Sequence, residues 1–494
     1  MIVLDGAGLN PAAVAAVARD GEPVALSSEA RARNVAARDA IAGLLARGEA
    51  IYGASTGVGA LRDRMIDEAD REEMQWNLLR SHAGGAGAAL APELVRAAMV
   101  VRANQLGAGG AGVAPELLDG LIDALNTGVI PLIPELGALG TGDLTVLSEI
   151  ALALLGEGRE RAGCAPLPAI VGSPVHLGLR DALGFISSNA LTIGRAALLA
   201  VDGGALQAAW LTVAALSFEA LGADTVVLEP RVQAGRGSPA QAAVAARMRE
   251  LVPRSPREGS DRPRLVQDPY PFRVLPQVDG VTWAALRALE AVLERELNGR
   301  GENALIDDGR AWPNGNFHAA ELAAALDAMR SALAASASLI AARVSALLDP
   351  RMSGLPAFLA GRPGLESGMM ILEYTATEAA AEARSLTMPM AAQSVSASLG
   401  VESHGSLAAV AARRTAEVLT VMKQLVATEL AVVTRALRCS DRTPSGAEAA
   451  GLFTLAARAL PPGPEDRVFA RDVETAYEVL TRWAAAPPAA PAGV

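Results

Sequence analysis

Apolar side chains recur every three to four residues over long stretches of this chain, the spacing that lines one face of an α-helix. The pattern predicts helices over Ala284–Glu296, Ala319–Asp349, Glu378–Leu386 and Ala408–Arg438, with shorter ones over Leu94–Leu106 and Leu144–Leu155. Thr141 or Asp143 is placed to N-cap the last of these. Strand-like runs are few and short, Val129–Ile133 among them. The predicted fold is therefore mostly α. A glycine- and turn-rich N-terminal domain is expected over 1–200 and a long helical bundle over 201–483. Leu251–Arg264, with repeated Pro, Arg, Ser and Gly, reads as a loop, and the Ala/Pro-rich Ala484–Val494 as a disordered tail.

Composition narrows the function classes. Of the 494 residues, 51% are hydrophobic and 20% charged, enough to bury a large core. No apolar run free of Arg, Asp and Glu is long enough to suggest a membrane span, and the N-terminus lacks the basic-then-apolar pattern of a signal peptide. A cytoplasmic protein is expected. A net charge of −11 argues against nucleic acid as a partner. Cys164 and Cys439 make no disulfide framework, and no Cys/His spacing suggests a metal. Lys423 is the sole lysine, so chemistry that needs a lysine Schiff base or a phosphate-loop lysine has almost nowhere to reside.

Gly107-x-Gly109-x-x-Gly112 has the form of a dinucleotide fingerprint but follows a helical pattern rather than a strand. Gly137-x-x-Gly140-x-Gly142 has no lysine beside it. Both read as glycine-rich turns. Tyr52-Gly53-Ala54-Ser55-Thr56-Gly57-Val58-Gly59 is more informative, because a tyrosine precedes a loop that can bring backbone and hydroxyl close to a ligand. Three of the four histidines, His82, His318 and His404, and two of the four tyrosines, Tyr52 and Tyr270, fall in short polar segments. Those segments are Asn77-Leu78-Leu79-Arg80-Ser81-His82, Gln267-Asp268-Pro269-Tyr270-Pro271-Phe272-Arg273, Asn314-Gly315-Asn316-Phe317-His318 and Glu402-Ser403-His404-Gly405-Ser406. With aromatics at 3%, packing alone does not account for that concentration.

These segments, in this order, resemble those of the histidine/phenylalanine ammonia-lyase superfamily, and Ser187-Ser188-Asn189, Glu296-x-Asn298 and Asn303 extend the likeness over nearly the whole chain. The resemblance implies a mostly helical ammonia-lyase-like fold, a small-molecule substrate, and a homotetramer whose active sites are shared between chains. Carried over residue by residue, it makes Tyr52 the catalytic base or acid, with Tyr270 and Glu402 the other candidate catalytic groups. Arg273 would pair with the substrate carboxylate, His82 would touch the substrate ring, and Phe317 would wall the pocket. Asn189, Gln267 and His404 would line the site, with Tyr374 a further candidate for substrate contact.

The likeness breaks at one place. The family carries Ala-Ser-Gly in a loop that cyclises to an electrophilic methylidene-imidazolone (MIO). Here the loop is one residue shorter and reads Gly140-Thr141-Gly142. Threonine would add a methyl at the electrophilic carbon and stiffen a turn that has to contract. The MIO group is therefore expected to be absent, with no other cofactor and no metal. A lyase without this electron sink needs a leaving group that departs unaided, and a trimethylammonium betaine has one. The chain thus resembles the MIO-free ergothionase branch, which releases trimethylamine from ergothioneine. Two other readings stand beside it. One is an MIO-dependent histidine or tyrosine ammonia-lyase or aminomutase with a threonine-derived group; the other is an inactive scaffold.

Overall fold

A computed structural model describes residues 1–158, 176–256, 266–440 and 442–485. The chain forms two compact units: Met1–Val201 with Leu289–Asp327 and Pro389–Arg413, and Asp202–Ala288 with Ala328–Met388 and Arg414–Val494. The first segment of unit one ends within a residue of the expected 1–200 domain, and two later segments of the chain join it.

The fold is mostly helical, and the predicted helices coincide with Leu275–Asn298, Ala320–Leu348, Met370–Ser385, Ala408–Ser440, Pro92–Ala108 and Leu144–Leu154, with only Ala319, Asp349, Leu386 and Leu155 falling one residue beyond them. Asp181–Leu221 and Ala320–Leu348 are long and apolar enough to cross a membrane by length and composition alone, although charged residues such as Arg195, Asp202, Arg330 and Arg343 interrupt them. In both, 72% of the apolar window is buried inside the protein, as in core helices.

In unit one, every residue of Pro92–Ala108 from Val95 to Gly107 is buried. Its polar side chains must find partners inside the protein. Arg96 donates to the carbonyls of Val17 and Leu125, and Asn104 accepts from the Gly6 N–H and donates to the Leu297 carbonyl. Arg102 donates to the carbonyls of Phe185 and Gly184 and pairs with the buried Glu302 at 3.2 Å. Gly194 lets Ala190–Leu221 approach this helix closely, since a Cβ there would lie 2.9 Å from the Ala97 carbonyl carbon.

Among the described residues, strands are confined to three two-stranded sheets. Val129–Ile133 is not one of them. Gly128, in the left-handed conformation, ends Pro115–Thr127, and the Val129 N–H is spent on the Ala124 carbonyl of that helix. The strand forms directly afterwards, at Pro134–Leu136, antiparallel to Ala86–Ala89. The hairpin Leu305–Asp307 to Arg310–Trp312 turns on Asp308-Gly309, both with positive φ, as a two-residue hairpin turn requires.

In unit two, Arg343 and Glu429 form a fully buried two-point ion pair at 2.7 and 2.9 Å, with Ser217 donating to the same carboxylate at 2.8 Å. Asp279 is buried nearby and accepts from Ser336; burial pushes its carboxyl up to about 6. The helix Pro239–Leu251 consumes the first residue of the expected Leu251–Arg264 loop, whose residues 257–264 lie outside those described. Likewise Ala470–Ala485 takes the first two residues of the expected tail, and the rest lies outside the described residues. Cys439 is half-buried, and Cys164 is outside the described residues.

Candidate active site

The Tyr52 loop is held from several sides. Its turn is closed by the Ala54 and Ser55 N–H groups donating to the Ile51 carbonyl, while the Ser55 hydroxyl accepts from the Ile51 N–H at 3.0 Å. Gly53 sits at φ +70°, and a Cβ there would come within 2.2 Å of the Leu183 side chain, so no larger residue fits. The buried Gln75 donates to the Gly53 carbonyl at 3.1 Å and accepts from the Ala182 N–H at 2.9 Å. Behind the loop, fully buried Arg180 donates to the Tyr52 carbonyl at 3.2 Å and to that of Asn303. Burial pulls this guanidinium down to about 10. The Tyr52 phenol oxygen itself accepts the Gly59 N–H at 2.8 Å, which fixes the oxygen and leaves its proton free to point elsewhere.

Gly140-Thr141-Gly142 is held by hydrogen bonds at each of its residues. The Gly140 carbonyl accepts from the Ser406 hydroxyl at 2.9 Å and the Ala319 N–H at 3.4 Å. The Gly142 N–H donates to Asn189 at 3.0 Å, and the Asn189 amide in turn donates to the Phe317 carbonyl at 2.6 Å. The Thr141 hydroxyl donates to the Glu402 carboxylate at 3.1 Å. Both glycines have positive φ, +82° and +116°.

Asp143 occupies the N-cap position of Leu144–Leu154, yet neither it nor Thr141 caps that helix with its side chain. The Asp143 carboxylate is committed instead to the N–H and hydroxyl of Thr192, at 2.8 and 2.9 Å. It is fully buried, and burial pushes its carboxyl up to about 6 against the pull of those hydrogen bonds and of Arg195.

One segment of unit one ties these pieces together. Residues 397 and 402 pair as an antiparallel bridge. From it the Ser398 hydroxyl accepts the Ala60 N–H of the Tyr52 loop at 3.1 Å, Glu402 accepts from Thr141, and Ser406 holds Gly140. His404 Nδ1 lies 3.0 Å from His318 Nε2, with ring centroids 5.1 Å apart. Thr141, Asn189, Phe317, Glu402 and His404 thus gather around one loop, and Tyr52 joins them through the Gly59–Ala60 and Ser398 contacts.

His82 is in the same unit but, among the described residues, belongs to no such link. It ends Arg71–His82 with Nδ1 2.9 Å from the Leu78 carbonyl. The Ser81 hydroxyl lies 3.2 Å from the same nitrogen, so Nδ1 faces its own helix and Nε2 is left for other use.

The remaining predicted residues lie in unit two. Phe272 is buried edge-on against Phe218, centroids 5.3 Å apart, and anchors the short turn Tyr270–Arg273. Tyr270 is 67% exposed, with the Arg273 guanidinium 5.7 Å from its ring centroid. Among the described residues Arg273 has no carboxylate partner, which leaves its fork available to an anion. Gln267 is exposed just before the turn. Tyr374, also 67% exposed, has no hydrogen bond or ring contact among the described residues.

Sequence reading did not single out Ser398, Gln75 or Arg180. Ser406 and His318 lay inside motifs already noted, whereas a buried arginine on the back of a loop leaves no local signature.

The sequence profile of the family described as aromatic amino acid lyase matches residues 9–458. The chain is 36% identical over 485 residues to a histidine ammonia-lyase of Geobacillus thermodenitrificans, covering 96% of each. Among solved structures, it is similar to the ergothioneine-degrading enzyme ergothionase of Treponema denticola, solved with desmethyl-ergothioneine sulfonic acid. That likeness has a TM-score of 0.92 at 27% identity over 97% of this chain and 98% of the other. The histidine ammonia-lyase of Trypanosoma cruzi matches with a TM-score of 0.87 at 29% identity, over 98% and 94%.

Proposed function

The chain belongs to the aromatic amino acid lyase family and is a carbon–nitrogen lyase, and from that premise we propose that it eliminates trimethylamine from a histidine-derived betaine without an MIO group. The observation that carries this reading is Thr141. It stands where the family's serine would form the electrophile, and its hydroxyl is committed to Glu402. Cyclisation would need the Gly142 nitrogen, which donates to Asn189, and the Gly140 carbonyl carbon, whose oxygen is held by Ser406. The residues present do not fit the group, and the likeness to the Treponema ergothionase supports the same view.

A tetraalkylammonium needs no electron sink. Tyr52, once its own hydroxyl proton has passed to solvent, takes the β-proton as the phenolate and becomes the phenol, the Cβ–H electrons become the Cα=Cβ bond, and the Cα–N pair leaves with neutral trimethylamine. Removal of that proton by a positioned base supplies roughly 10²–10⁴-fold of the rate. Arg273 holds the carboxylate in two-point contact, and His82, through Nε2, reads the imidazole-derived ring. Glu402, oriented by Thr141, faces the polar edge of that ring. The two clusters complete one another across the subunits of a homotetramer.

A second reading is a histidine ammonia-lyase with a threonine-derived electrophile, favoured by the 36% identity to an enzyme of that name. Purified protein incubated with ergothioneine, hercynine and histidine separates the two. Thiourocanate or urocanate absorbance together with trimethylamine supports the first, and ammonia from histidine alone supports the second. No product from either betaine removes the proposal.

A further inference from the structure

Unit two contains a cavity of about 700 Å³ that runs beside the Tyr270–Arg273 turn. Tyr270, Phe358, Met352, Glu373, Asp349 and Arg351 are among its lining residues. Its size is that of a site for a small molecule rather than a packing defect.

The charges in the lining do not cancel. Arg351 is committed to Asp349, with Nη2 at 2.7 Å from one oxygen and Nε at 3.1 Å from both. The Arg351 N–H also caps that carboxylate at 2.8 Å. Glu373, half-buried, has no hydrogen bond or ion pair among the described residues. A carboxylate left single on the wall of a cavity leaves the lining one negative charge in excess. The aromatic groups in the same lining are Tyr270 and Phe358. Phe358 is held at φ +52° and followed by Leu359 at +56°, a conformation that non-glycine residues avoid. The buried Leu359 and a hydrogen bond from the Met369 N–H to the Phe358 carbonyl at 2.8 Å keep it there. Strain of this kind persists where surrounding structure holds it, often at ligand sites.

An unpaired carboxylate with two aromatic rings and a polarisable thioether suits a large, weakly hydrated organic cation better than ammonium or a metal. We propose that this cavity binds a trialkyl- or tetraalkylammonium headgroup, held by Tyr270, Phe358 and Glu373. Arg273, 5.7 Å from the Tyr270 ring, puts a carboxylate-binding group next to the same wall. An α-betaine carries its ammonium and its carboxylate on one carbon, so neighbouring cation- and carboxylate-binding groups suit it. The identity of the natural ligand rests on the proposed reaction; the existence of the cation site does not. Tyr374, a residue expected to contact substrate, is not part of this lining, and its neighbour Glu373 takes that place.

Saturation-transfer NMR with tetramethylammonium chloride on the full-length protein tests the site without turnover, sodium chloride serving as ionic control. Wild type is expected to show saturable binding. Glu373→Gln and Phe358→Leu are each expected to weaken it about threefold to thirtyfold, and Tyr270→Phe, which keeps the ring, to leave it within about twofold. Thermal unfolding of each variant shows whether the fold is retained. Absence of saturable binding to wild type, or equal binding by folded Glu373→Gln and Phe358→Leu, overturns the proposal. Acetate binding with no tetramethylammonium binding would assign the cavity to an anion and overturn it too. If tetramethylammonium binds as expected while no betaine releases trimethylamine, the proposed reaction falls and this site stands.

Discussion

The hydroxyl of Thr141 donates to the carboxylate of Glu402 across 3.1 Å, joining two residues 261 positions apart in the chain. This bond places a neutral donor where the family's electrophile would be built. It also gives the acidic residue of the site one fixed orientation.

Removing that donor alone is expected to weaken turnover. Thr141→Val keeps the shape and branching of the side chain and loses the hydrogen bond. The expected fall in kcat/KM is about five- to tenfold, the worth of roughly 1 kcal/mol for one net hydrogen bond. Thr141→Ser, which keeps the hydroxyl, is expected to stay near wild type with the betaine. Steady-state kinetics on both variants check this, and an unchanged Thr141→Val would show that the pair has no part in the reaction.

The intact mass is expected to equal that of the unmodified chain. MIO-type cyclisation with dehydration lowers the mass by two waters, so denaturing mass spectrometry reads the difference directly. A deficit located at residues 140–142 would favour the threonine-derived electrophile and ammonia release.

Tyr52→Phe is expected to lower kcat by about 10²–10⁴-fold with little change in ligand binding, because only the proton-transferring oxygen is lost. An inactive scaffold would lose nothing measurable by the same change.

Stability in unit two should depend on the Arg343–Glu429 pair, both side chains of which are fully buried. Arg343→Met leaves the Glu429 carboxylate without its cation and is expected to cost about 3–5 kcal/mol in urea unfolding. Replacing both, Arg343→Met with Glu429→Leu, is expected to recover most of that loss, because burying two charges is itself costly.

Asp143 gives a pH signature. Burial raises its carboxyl from 3.8 to about 6 in the folded protein, so between those values the folded state binds more protons than the unfolded chain. Its contribution to stability therefore falls as pH rises from about 4 to about 6, by at most about 3 kcal/mol, and stays low above that. Asp143→Asn can accept from the Thr192 N–H and donate to its hydroxyl oxygen without ionising. It is expected to gain stability relative to wild type at pH 8 and to lose that advantage near pH 4. Denaturant unfolding at the two pH values checks the sign.

Much of the helical fold was legible because a periodic apolar stripe is a local property. Ala319–Asp349 and Ala408–Arg438 were readable to within two residues at each end for that reason. Val129–Ile133 was misread because the Gly128 cap claims its first N–H, and capping competes with pairing in a way that hydropathy does not encode. Asp143 was misread similarly. Its residue type and position suit a cap, but its carboxylate turns to Thr192, 49 positions away.

By itself the sequence determined the helical class, the family likeness, the residue types available for chemistry, and the replacement of serine by Thr141. These depend on local spacing and residue identity. Only the tertiary structure decided that the segment 397–406 binds the Tyr52 loop, Thr141, His318 and Gly140 at once. It also set Arg180 behind Tyr52 and put Glu373 in the lining of the cavity beside the Tyr270–Arg273 turn. Those outcomes turn on which distant hydrogen-bonding groups are left unpaired when helices bury their apolar faces, a quantity defined only once the chain has folded.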